Sequence, residues 1–195
     1  MGSTDYEFRT VWRVAGTPEE VAAVLGDATA MPRWWPSVYL SVESVAGGPE
    51  PGPGIPRPTR LHTTGWLPYT LRWTLTVTEP VTARGFALTA AGDLNGTGRW
   101  TFEPDGPETV ITYDWRVSTA KPLLRRLSWL LKPAFAANHR WAMARGQESL
   151  ALELRRRRAA AGGTSGRTAA GSAAVPPPPP PTFAWLTRRA ARTDT

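Results

Sequence analysis

Residues 6–21 read YEFRTVWRVAGTPEEV, and within this stretch the chain changes from strand-like to helix-like patterning. Alternate positions in residues 6–14 are Tyr, Phe, Thr, Trp and Val, with charged side chains largely between them, which predicts a half-buried β-strand. Thr17 is then suited to be an N-cap, Pro18 the first helical residue, and Glu20 the partner in a capping box. A strand that leads directly into a capped short helix is therefore the first unit of the fold.

Hairpin-connected strands are predicted over the middle of the chain. Two prolines bracket two tryptophans in residues 32–36, which indicates a second short helix or turn folded over the sheet. Six further strands are expected from their alternation or β-forming composition, at residues 38–45, 61–66, 69–78, 85–90, 96–103 and 109–117. Turns are expected at 93–96 and 104–107, both short enough for antiparallel hairpins.

The hydrophobic period becomes helical from residue 121. Pro122 is suited to begin a helix, and Pro133 is expected to kink it or to start a second segment. One stripe with spacings of three and four should face the sheet, and it consists of Phe135, His139, Ala142, Met143, Gly146 and Leu150. Arg155 to Arg158 form a charge run at the helix end, where the helix dipole favours cations.

This order of elements indicates an α+β domain with an antiparallel sheet of about seven strands and one long C-terminal helix. We expect the domain to cover residues 1–158. The remainder, residues 159–195, is rich in Ala and Gly and carries six prolines at 176–181, so we expect a disordered basic tail.

Charge and cysteine content exclude several function classes. The 195 residues carry a net charge of +7, but residues 1–154 hold equal numbers of acidic and basic side chains, so the excess lies in residues 155–195. We therefore expect no nucleic-acid binding by the folded domain. With no Cys and only two His, thiolate chemistry is excluded and neither a metal nor a cofactor is expected. The N-terminus lacks an apolar secretory segment, and we expect a cytoplasmic protein.

Short motifs in this order give the chain a family resemblance over roughly residues 5–155. They are Gly16-Thr17-Pro18-Glu19-Glu20-Val21, Pro32-Arg33-Trp34-Trp35-Pro36, Trp66-Leu67-Pro68-Tyr69 with Leu71 and Trp73, Gly92-Asp93-Leu94, Gly96-Thr97-Gly98 before Trp100, and Asn138-His139 with Met143, Gly146 and Leu150. The chain resembles the START-like superfamily of SRPBCC proteins and, within it, the polyketide cyclase/dehydrase and lipid-transport family. The resemblance implies a helix-grip fold, in which a curved sheet wraps around the last helix and encloses a lipophilic cavity.

Candidate ligand contacts follow from strand parity together with this resemblance. We expect an apolar wall made of Trp12, Trp73, Trp100, Trp115, Phe135 and Met143, with Asn138 and His139 as polar contacts. The tryptophans could instead close-pack into a solid core, and a register error of one residue would exchange the two faces of a strand. Asp114 has the opposite parity and is expected to be solvated or paired across strands.

His139 has two interpretations. It is either a hydrogen-bond partner or general base at the cavity, or a helix histidine satisfied by a strand carbonyl or by Asn138. His62 lies on a strand whose inward face the sequence does not assign.

Three functions are compatible with these features. The leading hypothesis is a non-catalytic protein that binds a lipid, polyketide or quinone-like molecule between the sheet and the last helix. The second is a polyketide cyclase or dehydratase that uses the same cavity, with His139 as the candidate base. The third is an interaction module acting through its basic Pro-rich tail, in which residues 155–195 make weak contact with a membrane surface or a partner protein.

Overall fold

A computed structural model describes residues 5–47, 51–119, 128–163 and 174–183. Within these ranges the strands form one seven-stranded sheet in the order β1-β7-β6-β5-β4-β3-β2, and all neighbours are antiparallel. The strands are β1 Asp5–Ala15, β2 Tyr39–Ser44, β3 Thr59–Thr64, β4 Thr70–Val77, β5 Gly85–Gly92, β6 Leu94–Asp105 and β7 Glu108–Thr119. The strand count and antiparallel hairpins predicted from the sequence are thus confirmed.

Two short helices follow β1, as predicted. They are α1, Pro18–Leu25, and α2, Met31–Trp34, with a single 3₁₀ turn between them. The capping box of α1 is present, because the Glu20 backbone N–H donates to Thr17 Oγ1 at 3.3 Å and the Thr17 N–H donates to Glu20 Oε2 at 2.8 Å. The sequence therefore located the strand-to-helix transition correctly, and the physical cause is this pair of reciprocal hydrogen bonds.

The last helix, α3, spans Ser128–Gly163. It runs through Pro133 as one element, so Pro133 does not start a second segment; the start expected at residues 121–122 lies outside the described residues. Met143 and Leu150 of the predicted stripe are buried. Gly146 lies directly against Trp35, because a Cβ at this position would come within 2.3 Å of the Trp35 ring. The stripe therefore faces the interior, and Gly146 is the residue that lets α3 approach Trp35.

The connection between β5 and β6 is tighter than predicted. A turn was expected over residues 93–96, but β5 extends to Gly92 and β6 begins at Leu94. Gly92 adopts a φ of +130°, which glycine tolerates best. The Asn95 side chain then bonds to both the N–H and the C=O of Gly92, at 3.2 Å and 3.0 Å. Because of these contacts, residues 94–96, which were predicted to belong to the turn, are the first residues of β6.

Strand parity is as predicted for β1 and β7. Trp12 pairs with Ile111 in the register, and both are at most 2% exposed. On the opposite face, Arg9 pairs with Asp114 and its Nε lies 3.9 Å from the Asp114 carboxylate. Asp114 therefore lies on the outer face, as expected, and of the two alternatives left open it forms the cross-strand pair.

The basic run at the end of α3 is largely engaged in ion pairs. Glu153 has a fully buried side chain, and its carboxylate accepts hydrogen bonds from Arg33 at 2.7 Å, Arg157 at 3.0 Å and Arg156 at 3.2 Å. Burial alone would raise the pKa of the Glu153 carboxyl, but hydrogen bonds and charges from these arginines outweigh it and lower the pKa. The Arg33–Glu153 pair therefore anchors α3 to α2. Arg158 of the run pairs with Glu20 of α1, a contact that the solvated-helix-end pattern did not predict.

Arg156 also contacts the C-terminal region, since its Nη2 donates to the Pro176 carbonyl at 2.8 Å. Residues 174–183 contain no helix or strand. Among the described helices, none offers an apolar stretch long enough to cross a bilayer.

Candidate functional site: a cavity between the sheet and the last helix

A cavity of about 170 Å³ lies between the inner face of the sheet and α3. Its lining comes from β1, the segment after α2, strands β2–β4, β6 and β7, and helix α3. Nine of the lining side chains carry Phe, Tyr or Trp rings, and the described lining contains no Asp, Glu, Lys or Arg. The cavity is therefore neutral and apolar, with a few polar side chains that could orient a bound molecule.

The structure brings six of the eight predicted ligand contacts to this cavity, namely Trp73, Trp115, Phe135, Asn138, His139 and Met143. Trp12 does not line it. Its ring is 2% exposed and packs against Trp35 and Trp100 at centroid distances of 5.7 Å and 5.3 Å. Trp100 instead lines a smaller inner cavity. The ligand-binding role of all eight residues stays a prediction.

His139 is held by a ring stack and a weak hydrogen bond. Its imidazole lies 4.1 Å from the Phe8 ring, at 15° from parallel, and its Nε2 lies 3.5 Å from Thr10 Oγ1. Burial, and secondarily the charge of Arg140, lowers the pKa of His139 to about 4. The imidazole is therefore neutral at physiological pH and can donate or accept one hydrogen bond. Within the described residues, neither Asn138 nor a strand carbonyl bonds it.

Asn138 fastens the β3–β4 connection to α3. Its Oδ1 accepts from the backbone N–H groups of Trp66 at 2.9 Å and Leu67 at 3.2 Å. Gly65 makes this approach possible, since a Cβ there would lie 2.1 Å from Asn138 Oδ1. The side-chain carbonyl of Asn138 therefore already accepts two hydrogen bonds from the β3–β4 connection. Through these bonds Asn138 positions one wall of the cavity.

Two cavity tyrosines, Tyr39 and Tyr113, were missed as site residues. Burial raises the pKa of both phenols, and for Tyr113 the neighbouring Tyr39 adds to the shift. Neither hydroxyl has a hydrogen-bond partner among the described residues, although both side chains line the cavity. Both phenols are therefore protonated, and their polar atoms are available to a ligand.

A sequence signal existed for Tyr113, which alternates with Trp115 on the predicted inner face of β7. Tyr39 was harder to find, because a bulge between Tyr39 and Ser41 interrupts the parity of β2.

His62 lies away from the cavity. Its register partners are Ser41 and Arg72, and it lines a shallow depression with Arg60 and Arg72. Within the described chain, no three His, Asp or Glu side chains come together as metal ligands.

A seven-stranded antiparallel sheet that holds a long C-terminal helix, with two short helices after the first strand, is the helix-grip fold of the START/SRPBCC superfamily. The family model described as polyketide cyclase/dehydrase and lipid transport matches residues 6–155. The chain belongs to this family. No curated protein sequence matches it.

Solved structures share the fold at low identity. The Zhui aromatase/cyclase from Streptomyces sp. R1128 has a TM-score of 0.60 at 20% identity, covering 86% of this chain and 99% of that one. TTHA0849 from Thermus thermophilus has a TM-score of 0.59 at 21% identity, covering 80% and 99%. The di-domain aromatase/cyclase StfQ from the steffimycin biosynthetic pathway has a TM-score of 0.56 at 18% identity, covering 80% and 52%. At these identities the similarity establishes the fold.

Proposed function

We propose that this protein binds a neutral, hydrophobic, ring-containing small molecule in the cavity between the sheet and α3. The observation that carries the proposal is the lining, which combines nine aromatic rings with no charged side chain in the part of the chain described. Aromatic walls favour flat apolar ligands through burial and ring stacking. A charged ligand would lose its hydration without gaining a counter-charge.

The affinity would come mainly from burial of apolar surface, at about 25 cal/mol per Å². Polar contacts would set the orientation of the ligand, and three side chains supply them. They are His139, Tyr39 and Tyr113, whose side chains line the cavity. Membership of a family described as polyketide cyclase/dehydrase and lipid transport agrees with an apolar ligand of this kind.

Binding is better supported than catalysis by the state of His139. A general base works best when its pKa lies near the working pH. The pKa of His139 is lowered to about 4 by burial, so the imidazole is a weak proton acceptor. Among the described residues the hydrogen-bond partner of His139 is the Thr10 hydroxyl, which does not raise the basicity of the imidazole as a carboxylate would.

The direct test is a titration with N-phenyl-1-naphthylamine, a neutral apolar dye whose fluorescence rises in apolar sites. Ala142 lines the cavity, so Ala142→Trp fills it. Ala144 is exposed on the same helix and does not line it, so Ala144→Trp is the matched control. We expect the wild type and Ala144→Trp to bind one dye and Ala142→Trp to bind at least tenfold more weakly. Equal binding by all three proteins would overturn the proposal.

A second assay distinguishes a carrier from an enzyme. The protein is incubated with a linear poly-β-ketone, and the products are analysed by mass spectrometry for loss of water or ring closure. On the binding proposal no more product forms with the protein than in a protein-free control. Product that disappears in His139→Ala, while dye binding is retained, would establish a cyclase or dehydratase.

A further inference from the structure

A second cavity of about 50 Å³ lies deeper in the molecule than the main one. Residues that line this inner cavity alone include Leu25, Met31, Leu75, Phe86 and Leu88, all buried and apolar. The inner cavity is therefore enclosed by α1, α2 and the middle strands of the sheet. A space of this size accommodates a short alkyl group.

The inner and main cavities share a wall of five residues, namely Trp35, Tyr39, Trp73, Tyr113 and Met143. Three of these side chains have fixed positions. Trp73 Nε1 donates to Thr63 Oγ1 at 3.1 Å, Trp35 rests against Gly146, and the Tyr113 ring stacks on Trp100 at 3.9 Å. Met143 is the flexible member, since its unbranched side chain adopts several rotamers at low cost.

The wall also carries the two hydroxyls that lack partners among the described residues. Tyr39 and Tyr113 both line the inner and the main cavity. Two protonated phenols can donate to one carbonyl oxygen, because such an oxygen has two lone pairs. A ligand oxygen at this position would satisfy both hydroxyls at once.

We propose that the inner cavity is a subsite for a short alkyl chain, and that the ligand is an aryl ketone whose carbonyl lies at Tyr39 and Tyr113. The ring system occupies the main cavity, and the chain passes the Met143 side chain into the inner one. This inference rests on the proposed function and adds the ligand's chemical class to it.

The test uses three naphthalene probes with Trp fluorescence as the readout. They are 1-(2-naphthyl)ethanone, 1-(2-naphthyl)butan-1-one and 2-butylnaphthalene, which vary the chain length and then the carbonyl. Two additional buried methylenes are expected to make the butanone bind about tenfold tighter than the ethanone. The butanone should also bind about 3–10-fold tighter than 2-butylnaphthalene, and Tyr39→Phe or Tyr113→Phe should reduce that difference.

Variants assign the chain-length effect to the inner cavity. Leu88 lines only the inner cavity, so Leu88→Phe should abolish the tenfold preference while ethanone binding is kept. Leu71 lines only the main cavity, so Leu71→Phe should weaken both ketones and keep the preference. If Leu88→Phe does not fold, Leu88→Ala serves instead, and a longer probe, 1-(2-naphthyl)hexan-1-one, should then bind more tightly than the butanone.

The outcomes separate the two proposals. Binding of the probes with a chain-length preference that is unchanged in the Leu88 variants would overturn the inner subsite and leave the proposed function intact. Failure of every naphthalene probe to bind would overturn the proposed function and this inference with it.

Discussion

The imidazole of His139 stacks on the phenyl ring of Phe8, with centroids 4.1 Å apart and planes 15° from parallel. This contact joins the last helix to the first strand, two elements far apart in the sequence. It buries a titratable ring against an aromatic one, and the low pKa of His139 follows from that burial. The stability of the folded domain therefore depends on His139 being in its neutral form.

The first prediction concerns stability against pH. An unfolded histidine titrates near pH 6.5, whereas the folded pKa of His139 is about 4. Between these values the unfolded chain binds a proton that the folded chain does not, so stability falls as pH decreases from 6.5 towards 4. The expected loss is about 2–3 kcal/mol. His139→Phe keeps the stack on Phe8 and should remove this part of the pH dependence.

Urea unfolding of both proteins at pH 7, 5.5 and 4.5 measures the difference. Carboxylates such as Glu20, whose pKa is lowered to about 2 by Arg158 and the Thr17 N–H, contribute equally to both proteins. Parallel pH profiles for the wild type and His139→Phe would contradict the burial of an uncharged His139.

The second prediction concerns the buried carboxylate of Glu153. Glu153→Gln removes the charge that three arginines surround, and we expect a loss of about 2–4 kcal/mol. Glu148 is the control, since its pair with Arg145 at 2.7 Å is half exposed and Glu148→Gln should cost less than about 0.5 kcal/mol. Guanidinium unfolding of both variants gives the comparison, and equal effects would show that the Glu153 cluster contributes no more than a surface pair.

The third prediction concerns the contact of Gly65 with Asn138. Gly65→Ala places a Cβ in conflict with the Asn138 amide and should destabilise the protein by about 1–3 kcal/mol. In an Asn138→Ala background most of that cost should vanish, because the clashing atoms are gone. A double-mutant cycle measures the coupling. Gly162→Ala, where no atom lies within 4 Å, is the control and should be neutral or slightly stabilising. Additive effects of the Gly65 and Asn138 changes would contradict the contact.

The fourth prediction separates the tail from the cavity. None of residues 174–183 lines the cavity, so deletion of residues 164–195 should leave the dissociation constant of N-phenyl-1-naphthylamine unchanged. The same protein tests the interaction-module hypothesis by cosedimentation with anionic phosphatidylserine vesicles. If the protein without residues 164–195 still cosediments with the vesicles, the tail is not the cause of membrane association. A large change in the dissociation constant of the dye would show that the cavity depends on the tail.

Most of the fold could be predicted from the sequence because its signals are local. The capping box at Thr17 and the alternation around Trp115 act over a few residues, and both were found. A turn was predicted at residues 93–96, but its shortness was not, because it depends on the side chain of Asn95 bonding back to Gly92. The ion pair of the arginine run with α1 was missed because Arg158 and Glu20 meet only after α3 packs near α1.

The candidate site was less predictable, since a cavity depends on how far apart the elements pack. Strand parity indicated that Trp12 and Trp115 both face inward, and both do. It could not indicate that Trp12 lies in solid packing with Trp35 while Trp115 borders open space. The separate roles of Asn138 and His139, adjacent in sequence, likewise depend on which strand or loop each one reaches.

The central claim is that an apolar molecule binds inside the grip, and methionine methyl groups can report its position. The chain has three methionines, and Met143 is buried in the wall of the cavity. In protein carrying ¹³C-labelled methionine methyls, bound N-phenyl-1-naphthylamine should give intermolecular nuclear Overhauser effects to the Met143 methyl. The claim would be contradicted if, in a sample saturated with dye, the ring protons of the dye gave Overhauser effects to the Met1 methyl alone or to no labelled methyl.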